Sequence, residues 1–165
     1  MTSLKWILYM LTLMMMTGLG SAARANAAQD VEFVQKRVVI LQSTQNYEEA
    51  KLTTLTASRK LGIKADLRGL TPNPQSGLSF SKKECDDNGV DYPCYVARGR
   101  SDDEIFISIE YSDAYPGFQK GYYIVVLATA ASRHETSLKQ VLAKASQIYP
   151  DVYMKTTEVY MGCMH

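Results

Sequence analysis

The chain has 165 residues, with 18 lysines and arginines against 17 aspartates and glutamates and a formal charge of +1. It therefore lacks the basic surplus by which a nucleic-acid-binding domain is recognised. The length suits one domain with its own core, since about 100–150 residues is the commonest domain size, and no linker divides it.

Lys5 stands in a short polar start, an apolar run follows from Trp6 to Leu19, and small residues come after it, with no acid before Asp30. That order is the order of a secretory signal peptide. The apolar run is 14 residues long, whereas a helix crossing a hydrocarbon core needs about 20. Cleavage is therefore expected, and no stable membrane insertion after it. Ala25-Asn26-Ala27 puts small residues at both positions that a signal peptidase inspects, with Ala23-Arg24-Ala25 as the second choice, and no cysteine follows either site to take a lipid. The expected mature chain, residues 28–165, is periplasmic or secreted. Without Lys5 and Arg24 it carries 16 basic and 17 acidic residues.

Three cysteines remain, Cys85, Cys94 and Cys163, and an oxidising compartment lets two of them pair. Cys85 and Cys94 flank the turn-rich Asp86-Asp87-Asn88-Gly89, so their pairing is the expectation. Cys163 is then a free thiol, an intermolecular link, or the true partner of one of the others. The spacing contains no CxxC, and the mature chain has only His134 and His165 as histidines, so no metal site is expected.

Val38-Val39-Ile40-Leu41 reads as a strand. Asn46 with Glu49 three residues later has the form of a capping box, and Tyr47, Ala50, Thr54, Ala57 and Leu61 continue at helical spacing until Gly62 stops the helix. Ile63 to Leu70 reads as a short second strand. Residues 71–101, rich in Pro, Asn, Ser and Gly, read as a surface excursion and a place for function. Ile105, Ile107 and Ile109 alternate with Phe106, Ser108 and Glu110 as in a strand with unequal faces. After Tyr115-Pro116-Gly117 turns the chain, Tyr122 to Ala128 is apolar enough to be a central strand, and a hairpin joins the two. Ser132 with Glu135 repeats the capping pattern, Leu138, Val141, Leu142, Ala145 and Ile148 form a helical stripe ended by Pro150, and Val152 to Met161 is the last strand. Two strand-helix units around one antiparallel sheet make an α+β sandwich with both helices on one face.

The string Val39-Ile40-Leu41-Gln42-Ser43-Thr44-Gln45-Asn46-Tyr47-Glu48-Glu49-Ala50 resembles the opening of a SPOR domain, in which a strand ends in a small polar turn before a helix begins. Tyr122-Tyr123-Ile124-Val125-Val126-Leu127, the helix to Tyr149-Pro150 and the strand from Val152 are similar to that family's second half. Of the family's Gln-x-Gly-Ser-Phe pattern this chain keeps Ser43. The resemblance covers roughly residues 36–70 and 120–161. It implies a ferredoxin-like βαββαβ sandwich, here with an insertion at about 71–104 and an extra strand, in a single domain spanning 28–165. It also implies binding of peptidoglycan glycan strands stripped of their peptides.

A sugar site needs aromatic platforms beside amides, carboxylates and guanidinium groups. With helices on one face of the sheet, Gln42, Glu110, Tyr123 and Lys155 are candidates for the free face. Ser43 stands beside them, and Arg98, Arg100 and Tyr115 are placed at the rim. A second binding reading is a protein-binding module, such as an inhibitor or immunity protein against a cell-wall hydrolase, with the loop from Cys85 to Arg100 as its plug. The third is a small extracytoplasmic hydrolase. Its materials are His134, which sits among charged residues at a helix start, and Asp102-Asp103-Glu104, a consecutive run of the kind that is ordinarily exposed charge. HExxH, a P-loop and a nucleophile elbow are absent. The expectation is a non-enzymatic module without cofactor or metal, whose partner is glycan or a cell-envelope protein.

Overall fold

The β-branched run at Val38–Leu41 is the middle of a 12-residue strand, β1 (Phe33–Thr44), in the computed structural model, which describes residues 33–100, 104–131 and 135–162. The signal peptide read in residues 1–27, and Asp102, Asp103, Ser132, His134, Cys163 and His165, lie outside the described residues.

Helix α1 (Tyr47–Leu61) starts and stops where the sequence predicts. The side-chain oxygen of Asn46 accepts from the backbone N–H groups of Glu48 and Glu49 at 2.9 and 3.3 Å, satisfying donors that the first turn leaves open. The other half of the expected box is not made. Glu49 instead accepts from Gln42 Nε2 at 2.6 Å and from Thr44 Oγ1 at 2.7 Å, tying the helix start to the end of β1. Gly62, at φ +66°, closes the helix by donating to the Ser58 carbonyl at 3.0 Å.

The stretch 63–70 is not a strand. A single parallel bridge joins Ala65 to Ile107, with Asp66 N–H donating to the Ile107 carbonyl and Ile107 N–H to the Lys64 carbonyl, both at 2.8 Å. Pairing ends there because Asp66 Oδ1 accepts from the Arg68 N–H at 2.9 Å and the chain turns through positive φ at Arg68 and Gly69. The excursion that follows has structure of its own. It holds a hairpin of β2 (Thr71–Asn73) and β3 (Gly77–Ser79) and a short helix α2 (Lys82–Asp87), capped by a complete Ser81/Glu84 box. Leu78 and Ser79 are buried, so this segment is packed rather than draped over the surface. Cys85 and Cys94 form a disulfide.

Strands β4 (Ile105–Tyr111) and β5 (Tyr123–Ala131), helix α3 (Glu135–Ser146) and β6 (Tyr153–Tyr160) complete the chain. The sheet is four-stranded and antiparallel in the order β4-β5-β1-β6. The strand at 105–111, expected as an extra, is thus an edge strand of the sheet, and 63–70, expected as a strand, adds one bridge to it. Val39, Leu41, Ile107, Ile109, Val125 and Leu127 share one core with Ala50, Ala57 and Leu61 of α1 and Leu138 and Ala145 of α3. The alternate residues Val38, Ile40, Ile124, Val126 and Val159 point the other way and pack against Tyr115 and Phe118.

Candidate functional site

The sheet face away from the helices is not free. Tyr115 has none of its surface exposed and Phe118 has 9 %, because the chain between β4 and β5 folds back over that face. This overturns the expected open platform, and the glycan candidates are dispersed or occupied.

Glu110, Arg98 and Tyr115 do come together, in the interior rather than at a rim. Glu110 leaves β4 on the face opposite the helices, where its carboxylate accepts from Arg68 Nη1 at 3.0 and 2.8 Å. It also accepts from the Tyr95 hydroxyl at 2.6 Å, the Arg98 backbone N–H at 3.2 Å and the Tyr115 hydroxyl at 3.3 Å. The Arg98 guanidinium, equally buried, donates to the carbonyls of Phe106 and Glu104 at 2.7 Å, to Ser108 Oγ at 3.1 Å and to the Val126 carbonyl at 3.2 Å. It lies 3.5 Å over the Phe106 ring. Burial followed by the charge of Glu110 pushes the Tyr95 and Tyr115 hydroxyls well above the usual tyrosine range. Burial opposes the charge on Arg68, but the Glu110 carboxylate more than offsets it and holds that guanidinium above its usual value. Four donors converge on Oε2 and Arg68 Nη1 also reaches Oε1, so this carboxylate is buried and held by its own chain rather than turned to a ligand. The cluster is a clamp that ties the segments around Arg68, Tyr95–Arg98 and Tyr115 to β4.

The remaining candidates stand apart from it. Lys155 donates to the Gly117 carbonyl at 2.6 Å and sits 4.4 Å over the Phe118 ring. Gln42 donates to Glu49. Tyr123 turns to the helix side, with its ring 5.5 Å from that of Tyr47 and 5.3 Å from that of Tyr111. Its hydroxyl donates to the Gly77 carbonyl at 3.2 Å. Arg100 donates to the Met161 carbonyl at 3.0 Å, and Ser43 is exposed near the end of β1. Arg68 and Tyr95 were missed by the sequence reading, since 42 and 15 residues separate them from Glu110 and no local pattern announces such a pairing.

What projects is the loop closed by the disulfide. Its base is fixed by Phe80 N–H donating to the Cys94 carbonyl at 3.0 Å, by Cys94 N–H donating to Ser79 Oγ at 3.1 Å and by Asn73 Nδ2 donating to the Tyr92 hydroxyl at 3.1 Å. From that base Val90 and Tyr92 stand 51 % and 47 % exposed on either side of exposed Asp91. Asp86 and Asp87 pair with Lys82 and Lys83 one helical turn back, at 2.9 and 2.5 Å. The sequence signal for this tip was two apolar side chains inside a polar loop bracketed by cysteines. Among the described residues no helix is long and apolar enough to cross a membrane, and no group of His, Cys, Asp or Glu is placed to hold a metal ion. No family model matches the chain, and neither the curated proteins nor the solved structures contain a match to it.

Proposed function

We propose that this chain is a non-catalytic binding module of the extracytoplasmic space, built on a ferredoxin-like βαββαβ scaffold, that engages a cell-envelope protein through the loop between Cys85 and Cys94. The observation that carries this reading is the exposed pair Val90 and Tyr92, presented on a loop whose two ends are joined by a disulfide. Apolar and aromatic side chains bind best when their ordering cost has been met before the partner arrives, and tyrosine is among the residues that dominate contact energy. The disulfide also suits the oxidising compartment to which the apolar leader would deliver the chain. Glycan binding has less support, because the sheet face that would carry it lies beneath Tyr115 and Phe118.

One experiment weighs the two. A photo-crosslinking residue is placed at Val90 or Tyr92 in the exported chain, and cells are irradiated. A discrete protein adduct at these positions, absent when the same residue replaces exposed Ser43, supports the loop reading. No adduct, together with retention of the purified chain on amidase-stripped sacculi, would replace it with the glycan reading.

A further inference from the structure

The two edges of the sheet are treated differently. The outer edge of β4 is covered where Lys64 and Asp66 bond to Ile107. The outer edge of β6 has no pairing among the described residues. Such an edge is a template for another strand, and proteins ordinarily blunt it with proline, a bulge or a projecting charge. β6 has none of the first two, since Tyr153-Met154-Lys155-Thr156-Thr157-Glu158-Val159-Tyr160 contains no proline and holds an unbroken register from Ile40↔Tyr153 to Phe33↔Tyr160. Of its two charges, Lys155 is drawn back to the Gly117 carbonyl and the Phe118 ring. Exposed Glu158 is the one that still projects, so a strand that pairs here must set an uncharged or basic residue against it. Helix α3 packs on β5 and β1, and on the helix side β6 leaves Thr156, Glu158 and Tyr160 exposed.

We propose that β6 pairs antiparallel with β6 of a second copy, joining two four-stranded sheets into one. The argument for a second copy is the strand's own complementarity. A two-fold axis normal to the sheet keeps the helix faces on the same side, so residues that oppose each other must share a face. Two central registers meet that condition. In one, Thr156 opposes Thr156 of the second copy and Met154 opposes Glu158. In the other, Thr157 opposes itself, Thr156 opposes Glu158 and Lys155 opposes Val159. Neither sets like charges against each other, and both match β-branched and aromatic residues that favour cross-strand pairing.

The test uses the chain purified after export, with a Cys163→Ser version to remove any covalent link, and reads mass by light scattering up to about millimolar concentration, a range in which weak pairing is populated. A two-chain mass with concentration-dependent protection of the β6 amides is expected. Thr156→Glu sets the new carboxylate against its own symmetry mate in the first register and against Glu158 of the second copy in the other. In either case it should raise the dimer dissociation constant roughly 5- to 30-fold. Thr156 is exposed and Arg37, which faces it on β1, is already paired with Glu135 at 2.8 Å. The new carboxylate therefore stands in solvent in the monomer, which should stay folded, and keeps its charge toward the second copy. Thr156→Lys separates the registers, strengthening the dimer centred on Thr157 and weakening the one centred on Thr156. A single-chain mass throughout, or a dimer indifferent to Thr156→Glu with unprotected β6 amides, would overturn the proposal. A monomer whose β6 amides are protected only by an added extended peptide would overturn it too and reassign the edge to a different strand.

Discussion

Arg68 Nη1 grips both carboxylate oxygens of Glu110, at 3.0 and 2.8 Å, across 42 residues of sequence. Glu110 has no exposed side-chain surface and Arg68 has 17 %, so removing the acid strands a nearly buried cation together with the Tyr95 hydroxyl, while the Tyr115 hydroxyl keeps the Arg98 carbonyl at 3.2 Å. Glu110→Ala is expected to lower stability by about 3–5 kcal/mol, the range for breaking a buried pair on one side. Glu110→Gln, which keeps an acceptor, should cost less, about 1–3 kcal/mol. Urea unfolding of the variants gives both numbers, and a loss below about 1 kcal/mol for the alanine variant would mean that the clamp is dispensable.

Tyr95 and Tyr115 make stability depend on alkaline pH. Burial first, and the charge of Glu110 second, raise both hydroxyls well above the usual value of 10.0. In the unfolded chain they ionise near that value, so above it the unfolded state binds fewer protons than the folded state, and stability falls as pH rises. The contribution is fully present below about pH 10 and is lost above it by about 1.4 kcal/mol per pH unit for each tyrosine. On account of these two groups, unfolding free energies should be level up to about pH 10 and fall above it with this slope, and Tyr95→Phe should reduce the fall by the share of one group.

Where a signal was local, it could be read directly. The spacing of Ala50, Thr54, Ala57 and Leu61, the stop at Gly62 and the alternation at Ile107 and Ile109 all appear as predicted, because each depends on neighbours within a turn or along one strand. The Cys85–Cys94 pairing was legible for the same reason. The misread features are those decided at a distance. Ile63 to Leu70 is apolar enough for a strand, but the turn at Arg68 and Gly69 leaves it one bridge. Glu110, Arg98 and Tyr115 were recognised as polar and aromatic materials, yet a free sheet face was inferred from where the helices lie. Helices bury one face and say nothing of the chain between β4 and β5, which here closes the other.

Opening the disulfide should loosen one lobe and spare the sheet. Cys85 and Cys94 lie nine residues apart, and a closed loop of that size is worth about 2–3 kcal/mol on the chain-entropy account. The double variant Cys85→Ser, Cys94→Ser is expected to lose about that much. Hydrogen exchange should accelerate in residues 81–96, while β1 and β5, paired on both sides, keep their protection. Equal acceleration throughout the sheet would show that the lobe is integral to the core rather than a projection from it.

Gly77 is required twice over, and the two requirements can be measured separately. Its φ of +73° is a conformation that side chains rarely adopt, and a Cβ there would fall within the Tyr111 ring, the same ring that packs at 5.3 Å on Tyr123. Gly77→Ala is therefore expected to cost about 2–4 kcal/mol, part backbone strain and part overpacking. In a Tyr111→Ala background the ring is gone and only the strain remains, so the same substitution should cost about 1–2 kcal/mol. The difference, about 1–2 kcal/mol of coupling in a double-mutant cycle, measures the steric conflict between the new Cβ and the Tyr111 ring, and so how closely the β2–β3 hairpin lies against that ring. Strictly additive losses would mean that backbone strain alone fixes the glycine and that the Tyr111 ring moves aside for the added methyl at no cost.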